Sequence, residues 1–240
     1  MMCADTEETI SDVSKHESDK MRVCGSPAFA LCGGAGDAEL IEFSTDLIEK
    51  EIPQTKKWPD VLAALNGIAA RVFSKHVRAY VGFPKDLIPW LSMLIAVRIG
   101  NETKLFRWSH NFVRLIPNEK RERHTAIGIG DIQALQLLRQ YSFSLPAQDM
   151  FFFAVRTMHR VKRLVPGCGG RTRIFVLRND QSIMWWTFET IEKVEKISDK
   201  LDGCFTDLMW FVTRKKEPSK KDLNDVWQEL KKLRQEYLKS

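Results

Sequence analysis

Lys20-Met21-Arg22-Val23-Cys24-Gly25-Ser26-Pro27-Ala28-Phe29-Ala30-Leu31-Cys32, continued by Gly33-Gly34-Ala35-Gly36-Asp37, is the stretch that decides how this 240-residue chain is read. Lys20 to Cys24 and Ala28 to Cys32 are short apolar-rich runs on either side of a Gly-Ser-Pro trio, and glycine and proline supply the backbone angles that a tight turn needs. The expectation is a hairpin that passes through glycines into a helix. That helix is expected over Asp37 to Glu51, where Leu40, Phe43 and Leu47, with Ile41 and Ile48, recur at helical intervals. Trp58 to Lys75 repeats the pattern with Val61, Leu65, Ile68 and Val72, giving a second helix.

Further along, Met93 to Ile99 and Lys104 to Ser109 bracket Gly100-Asn101-Glu102-Thr103, which reads as a second hairpin. Phe112 to Ile116 and Thr125 to Ile129 are expected to extend the sheet around a charged loop, Asn118 to Arg123. A second helix pair follows over Asp131 to Tyr141 and Pro146 to Val165, with Ser144 as N-cap of the latter. Thr172 to Arg178 and Ser182 to Thr187 form a last hairpin, and helices close the chain. Strands, two helices, strands, two helices, strands is an order that two face-to-face sheets with a helical layer on each outer side would bury, whereas a parallel doubly wound sheet needs one crossover helix per strand. The expected fold class is therefore α+β, a four-layer αββα sandwich.

The chain is 44% apolar, enough for one well-buried core. Residues 1–213 are read as the domain and residues 214–240 as a charged amphipathic carboxyl-terminal helix. In that helix, Asp222 to Lys239, Leu223, Val226, Trp227, Leu230, Leu233 and Tyr237 share one face and Asp222 is the expected N-cap. Packing on the domain's own surface is preferred to partner binding. Leu87 to Val97, the longest nearly uncharged run, contains Pro89 and falls short of the ~20 apolar residues a membrane helix requires. Five scattered cysteines without a two-residue spacing point to a reducing cytoplasm and to no metal or redox cofactor. A net charge of +6 permits nucleic-acid contact, but the basic residues are dispersed beside apolar segments and read as solvated faces. Trp185-Trp186 and Met209-Trp210-Phe211 read as core and helix packing.

Ala4-Asp5-Thr6-Glu7-Glu8-Thr9, Asp19-Lys20-Met21 and Cys32-Gly33-Gly34-Ala35-Gly36-Asp37 together resemble, in order and spacing, the opening of proteasome-type N-terminal-nucleophile (Ntn) hydrolases. The resemblance covers Met2 to Thr187. It implies the αββα sandwich named above and a mature chain led by a threonine, whose hydroxyl is the nucleophile and whose free α-amine takes part in proton transfer. Residue 1 is methionine, so the resemblance also implies a domain truncated at its N-terminus by one strand and a turn, about 8–15 residues. By position, Asp5 resembles the family's site aspartate and Lys20 the catalytic lysine. Gly33 or Gly34 resembles the glycine whose N–H stabilises the oxyanion, and Thr9 the substrate-contacting threonine.

Two later glycine clusters complete the comparison. Ala126-Ile127-Gly128-Ile129-Gly130-Asp131 resembles the family's turn into its third helix, with Ile129 and Asp131 where active members carry serine; a tight turn with Asp131 as N-cap explains it sufficiently. Val165-Pro166-Gly167-Cys168-Gly169-Gly170 resembles an Asp-x-x-Ser-Gly-Gly turn, with Val165 at the aspartate's place and Cys168 at the serine's. A small buried cysteine is preferred there to a nucleophile. The implied function is a threonine-type peptidase or amidohydrolase acting on a peptide or amide, inactive without the threonine strand. The alternative is a non-catalytic assembly subunit in a homo- or hetero-oligomer, and a basic nucleic-acid-binding module is the distant third.

Overall fold

Val61, Leu65, Ile68 and Val72 are buried along one face of the second helix, as their spacing requires, and that face is packed on a sheet. A computed structural model describes every residue except 10–14, 18, 27–28, 85–86, 118–124, 141–146, 179, 181, 214–218 and 240. Among the described residues it is a mixed α/β protein with six α-helices and antiparallel sheets.

The larger sheet has five strands in the order β4 (Met21–Cys24), β5 (Ala30–Gly36), β6 (Leu91–Ile99), β7 (Glu102–Ser109) and β8 (Phe112–Leu115), each antiparallel to its neighbour. Alternation sorts its side chains. Cys24, Ala30, Cys32, Met93, Ile95, Val97, Phe106 and Trp108 pack against α1 (Ala38–Glu51) and α2 (Trp58–Val72). Met21, Val23, Leu31, Leu94, Ala96 and Leu105 pack the other way, against Met2, Ala4 and Phe175. Those last residues belong to a three-stranded sheet in which β1 (Met2–Asp5) and β10 (Ile183–Trp185) flank β9 (Thr172–Leu177). The far face of this sheet presents Cys3 and Ile174 to Phe151 and Val155 of α4 (Ala147–Leu164) and to Ile191 and Val194 of α5 (Phe188–Thr213). Each large side chain buried in these clusters stabilises the fold by about 1.5–3 kcal/mol.

Local chemistry fixes the ends of the elements. The Asp37 carboxylate accepts the Leu40 N–H at 3.1 Å and starts α1. Helix α6 (Lys220–Leu238) begins on a capping box in which Ser219 Oγ accepts the Asp222 N–H and Asp222 accepts the Ser219 N–H. The N-cap is thus Ser219, and Asp222, expected in that role, is its reciprocal partner three residues on. α6 packs on α5 through Val226, Leu233, Ile197 and Cys204, and Tyr237 meets Phe152 of α4 edge to face.

Three other expectations are corrected. Thr125 to Ile129 is not a strand: three irregular residues lead into a bend and turn before α3 (Asp131–Gln140), and two glycines in three residues favour turning over pairing. Trp186 stacks on Phe151, but Trp185, Met209 and Trp210 are exposed, Trp185 by 64%. The basic run Arg156 to Arg163 is not simply solvated, since it pairs with acids of α5. The expected N-cap Ser144 and the loop Asn118 to Arg123 lie outside the described residues apart from their flanks.

Candidate functional site

Asp5 ends β1 of the three-stranded sheet and Lys20 immediately precedes β4 of the five-stranded sheet, so the two meet where the sheets converge. Lys20 Nζ donates to Asp5 Oδ1 at 2.7 Å. The second carboxylate oxygen, Oδ2, accepts the Gly169 N–H at 2.9 Å. Asp5 is buried, and its lost hydration is replaced by one ammonium and one backbone N–H. Thr6 N–H donates to Arg171 O, and Thr6 Oγ1 accepts the Arg171 N–H, both at 2.9 Å, which continues the β1–β9 ladder by one step and clamps the 169–171 turn to the strand.

The turn is also held from below. Lys162 Nζ of α4 donates to Gly170 O at 3.2 Å and pairs with Glu195 Oε1 of α5 at 2.8 Å. Thr172 Oγ1 donates to the same carboxylate oxygen at 2.9 Å. Gly169, Lys162 and Glu195 are positioning groups that sequence reasoning missed. The glycine pair after Cys168 was the available signal for the first of them; the two charges, on different helices, left none.

Gly34 N–H donates to Lys20 O at 3.0 Å, fixing the backbone of the lysine. Gly33 lies inside the sheet, paired with Met21 on one side and Leu94 on the other. A side chain there would meet Met2 Sδ at 2.8 Å, so that space is filled. Because N–H groups at alternate positions of a strand point to the same edge, the next N–H on the Lys20 side is that of Gly36, beyond the end of β4. Thr9 is the last residue of β2 (Glu7–Thr9), opposite Lys15 in β3 (Lys15–Glu17).

The two later glycine turns interlock. A Cβ on Gly130 would lie 2.6 Å from Val161 Cγ1 and 3.1 Å from Cys168 Sγ, and a Cβ on Gly167 would lie 2.7 Å from Ile129 Cδ1. Val165 and Cys168 pack with Ala134, Leu137 and Val161, so the apolar residue at the place the resemblance gives to an aspartate serves the α3–α4 contact. Asp131 is the first residue of α3 and faces Arg107 Nη2 at 3.6 Å. Ile129 lines a cavity of about 260 Å³ with Trp90, Arg107, His110 and Asp131. Near the chain's start, burial pushes the Cys3 thiol up to about 11, which keeps it protonated at neutral pH. Among the described residues no cluster of three or more metal-ligating side chains is present, and no helix is long and apolar enough to cross a membrane.

This arrangement of sheets, helices and turn is similar in fold to solved structures of Anbu, described as an ancestral beta-subunit. Anbu from Yersinia bercovieri superimposes with a TM-score of 0.69 at 12% identity, over 85% of this chain and 91% of that one. The helical assembly of the Anbu complex from Pseudomonas aeruginosa gives 0.69 at 13% identity, over 91% and 93%. Anbu from Hyphomicrobium sp. strain MC1 gives 0.65 at 11%, over 90% and 94%. No family model and no curated protein matches the chain.

These findings correct the family assignment drawn from the sequence. Membership of the proteasome-type Ntn hydrolases, lacking their threonine strand, is not sustained: no family model matches, and identities of 11–13% show a shared fold and nothing finer. The physical reason lies in the motif residues themselves. Gly34, Gly130 and Gly167 are demanded by strand pairing and close packing, and Asp5 by the turn it holds, so the pattern reports the fold.

Proposed function

We propose that the chain is a subunit of a proteasome-like assembly that hydrolyses peptide or amide bonds of the threonine type when a threonine-led strand precedes β1 and is inactive without one, with Asp5 and Lys20 as its charge centre. We also infer that the contacts described above arrange α1 and α2, the five-stranded sheet, the three-stranded sheet, and α4 and α5 as four successive layers. The observation that carries the function is the Lys20–Asp5 pair at 2.7 Å, with the other carboxylate oxygen held by the Gly169 N–H. A hydroxyl becomes a nucleophile only when its proton is taken and the resulting charge is stabilised. An ammonium fixed by a buried carboxylate supplies that stabilisation, and the clamped turn keeps the carboxylate from swinging away. The N–H of Gly36, on the same edge as Lys20 O, is the best placed of the glycine run to receive an oxyanion, ahead of Gly33. Thr9, in β2, is retained as a substrate contact.

Assembly is supported by the Pseudomonas aeruginosa neighbour, which is a helical assembly. The test is peptide turnover by the oligomer produced from the native gene, compared with the same oligomer carrying Lys20→Ala. Turnover reduced at least about 100-fold with the oligomer intact is the expected result. An intact wild-type oligomer that cleaves no peptide in a broad fluorogenic panel would overturn it in favour of a second reading, a non-catalytic assembly subunit. Val165, partly buried against Ala134, Leu137 and Val161 at the place the resemblance gives to an aspartate, is the observation that favours that reading.

A further inference from the structure

Cys24 ends β4 and Cys32 lies in β5, with Cys24 opposite Ala30 and Cys32 opposite Arg22. The two side chains therefore share a face of the sheet, one diagonal step apart, beneath α1. Both are buried, and their sulfurs are 3.7 Å apart. A disulfide needs about 2 Å between sulfurs and about 4 Å between Cβ atoms, so the diagonal pair closes by a shift of the β4 backbone toward β5. β4 is the edge strand of its sheet, paired on one side only, and Cys24 adjoins the turn at Gly25. Above the pair, Arg22 bridges to Asp46 and Glu49 of α1, and Glu49 also accepts the Gly25 N–H. These half-exposed side chains are the only layer between the dithiol and solvent at that edge that the described contacts record.

We propose that Cys24 and Cys32 are a site of reversible oxidation, at which hydrogen peroxide joins them in a disulfide across the β4–β5 hairpin. The Cys24 thiolate attacks one peroxide oxygen, the O–O bond breaks and hydroxide leaves, giving a sulfenic acid on Cys24. Cys32 sulfur then attacks Cys24 sulfur, the S–O bond breaks, and the departing oxygen leaves as water with the Cys32 proton. In sum, two thiols and one peroxide give one disulfide and two waters. The order of roles follows from the surroundings. The hydrogen bond from Cys32 holds the Cys24 thiol below its ordinary range despite burial, with Arg22 assisting, while that same bond and burial hold Cys32 well above. A small uncharged oxidant is required because the sulfurs are covered. The cross-link would fasten the far end of the hairpin whose near end carries Lys20 and the glycine run.

Both cysteines fall in the tryptic peptide 23–50, which contains no other cysteine. The native full-length chain is treated with hydrogen peroxide, quenched, unfolded, alkylated and digested. The expected outcome is a 23–50 peptide lighter by two hydrogens and carrying no alkyl group, which takes up two alkyl groups after reduction, while the peptides with Cys3 and Cys204 remain alkylated. Cys24→Ser should slow the loss of the Cys32 thiol about tenfold or more. Recovery of the 23–50 peptide with two alkyl groups would overturn the proposal from the wild-type chain alone, whether or not the variant folds. So would sulfinic acid at either position, or pairing with another cysteine.

Discussion

The two halves of the molecule are held by different forces. Between α1, α2 and the five-stranded sheet, the cohesion is burial: Trp108, Ile95, Leu65 and Ile68 are wholly inaccessible and lie in one continuous cluster. Between α4 and α5 an apolar cluster of Phe151, Val155, Ile191 and Val194 is continued by a charged seam. Arg156 and Arg160 converge on Asp202, His159 and Arg163 on Asp199, and Lys162 on Glu195. Apolar burial is not screened by salt, whereas the partly exposed pairs of the seam, such as Arg160–Asp202, weaken as salt is added. The comparison teaches that the candidate site straddles both regimes: Lys20 rides on the apolar half, and the turn that grips Asp5 is anchored to the charged seam through Lys162 and Glu195.

The largest expected effect is in the apolar half. Trp108→Ala removes a wholly buried ring whose Nε1–H also donates to His110 O at 2.9 Å, and should lower unfolding free energy by about 3–5 kcal/mol in urea titrations. A loss below about 1 kcal/mol would show that burial is not what holds this half. In the seam, Asp202→Asn deprives two guanidiniums of their shared carboxylate and should cost about 1–3 kcal/mol, allowing for its partial exposure. Its effect should shrink as salt is raised while that of Trp108→Ala stays constant; parallel salt dependence would collapse the distinction.

Smaller effects probe where the charged half ends. Ser219→Ala breaks the capping box of α6 and should cost about 1 kcal/mol, read as a lowered melting temperature of the whole chain. A separate early transition, with the rest unchanged, would instead show that α6 melts on its own. Val212, 79% exposed near the end of α5, should accept Val212→Lys with a change within about 0.5 kcal/mol. A larger penalty in the purified chain, together with a change in sedimentation, would mean that this face is covered in solution.

The same contrast explains what could be read in advance. Helices α1 and α2 and the hairpin β6–β7 were legible because alternation and helical spacing are written in apolar residues that must be buried. The proximity of Asp5 and Lys20 was legible only through the resemblance, since nothing in local spacing joins residues of two sheets. The exposed Trp185 and Met209 were misread because apolarity alone does not say whether a neighbour covers a face. The Lys162–Glu195 support was invisible, because two charges on different helices leave no trace in local pattern, and the Gly169 donor, 164 residues from Asp5, was signalled only by the glycine pair after Cys168.

The interlock at Gly130 has an evolutionary consequence. Even the smallest side chain added there would run into Val161 and press on Cys168, and Cys168 sits beside the glycine whose N–H holds Asp5. A lineage could acquire alanine at position 130 only after Val161 had first been trimmed, and each intermediate would have to survive with a gap or a collision. Mutational paths through this corner therefore have a required order, so substitutions here are contingent on their neighbours while the exposed faces of α6 remain free to drift.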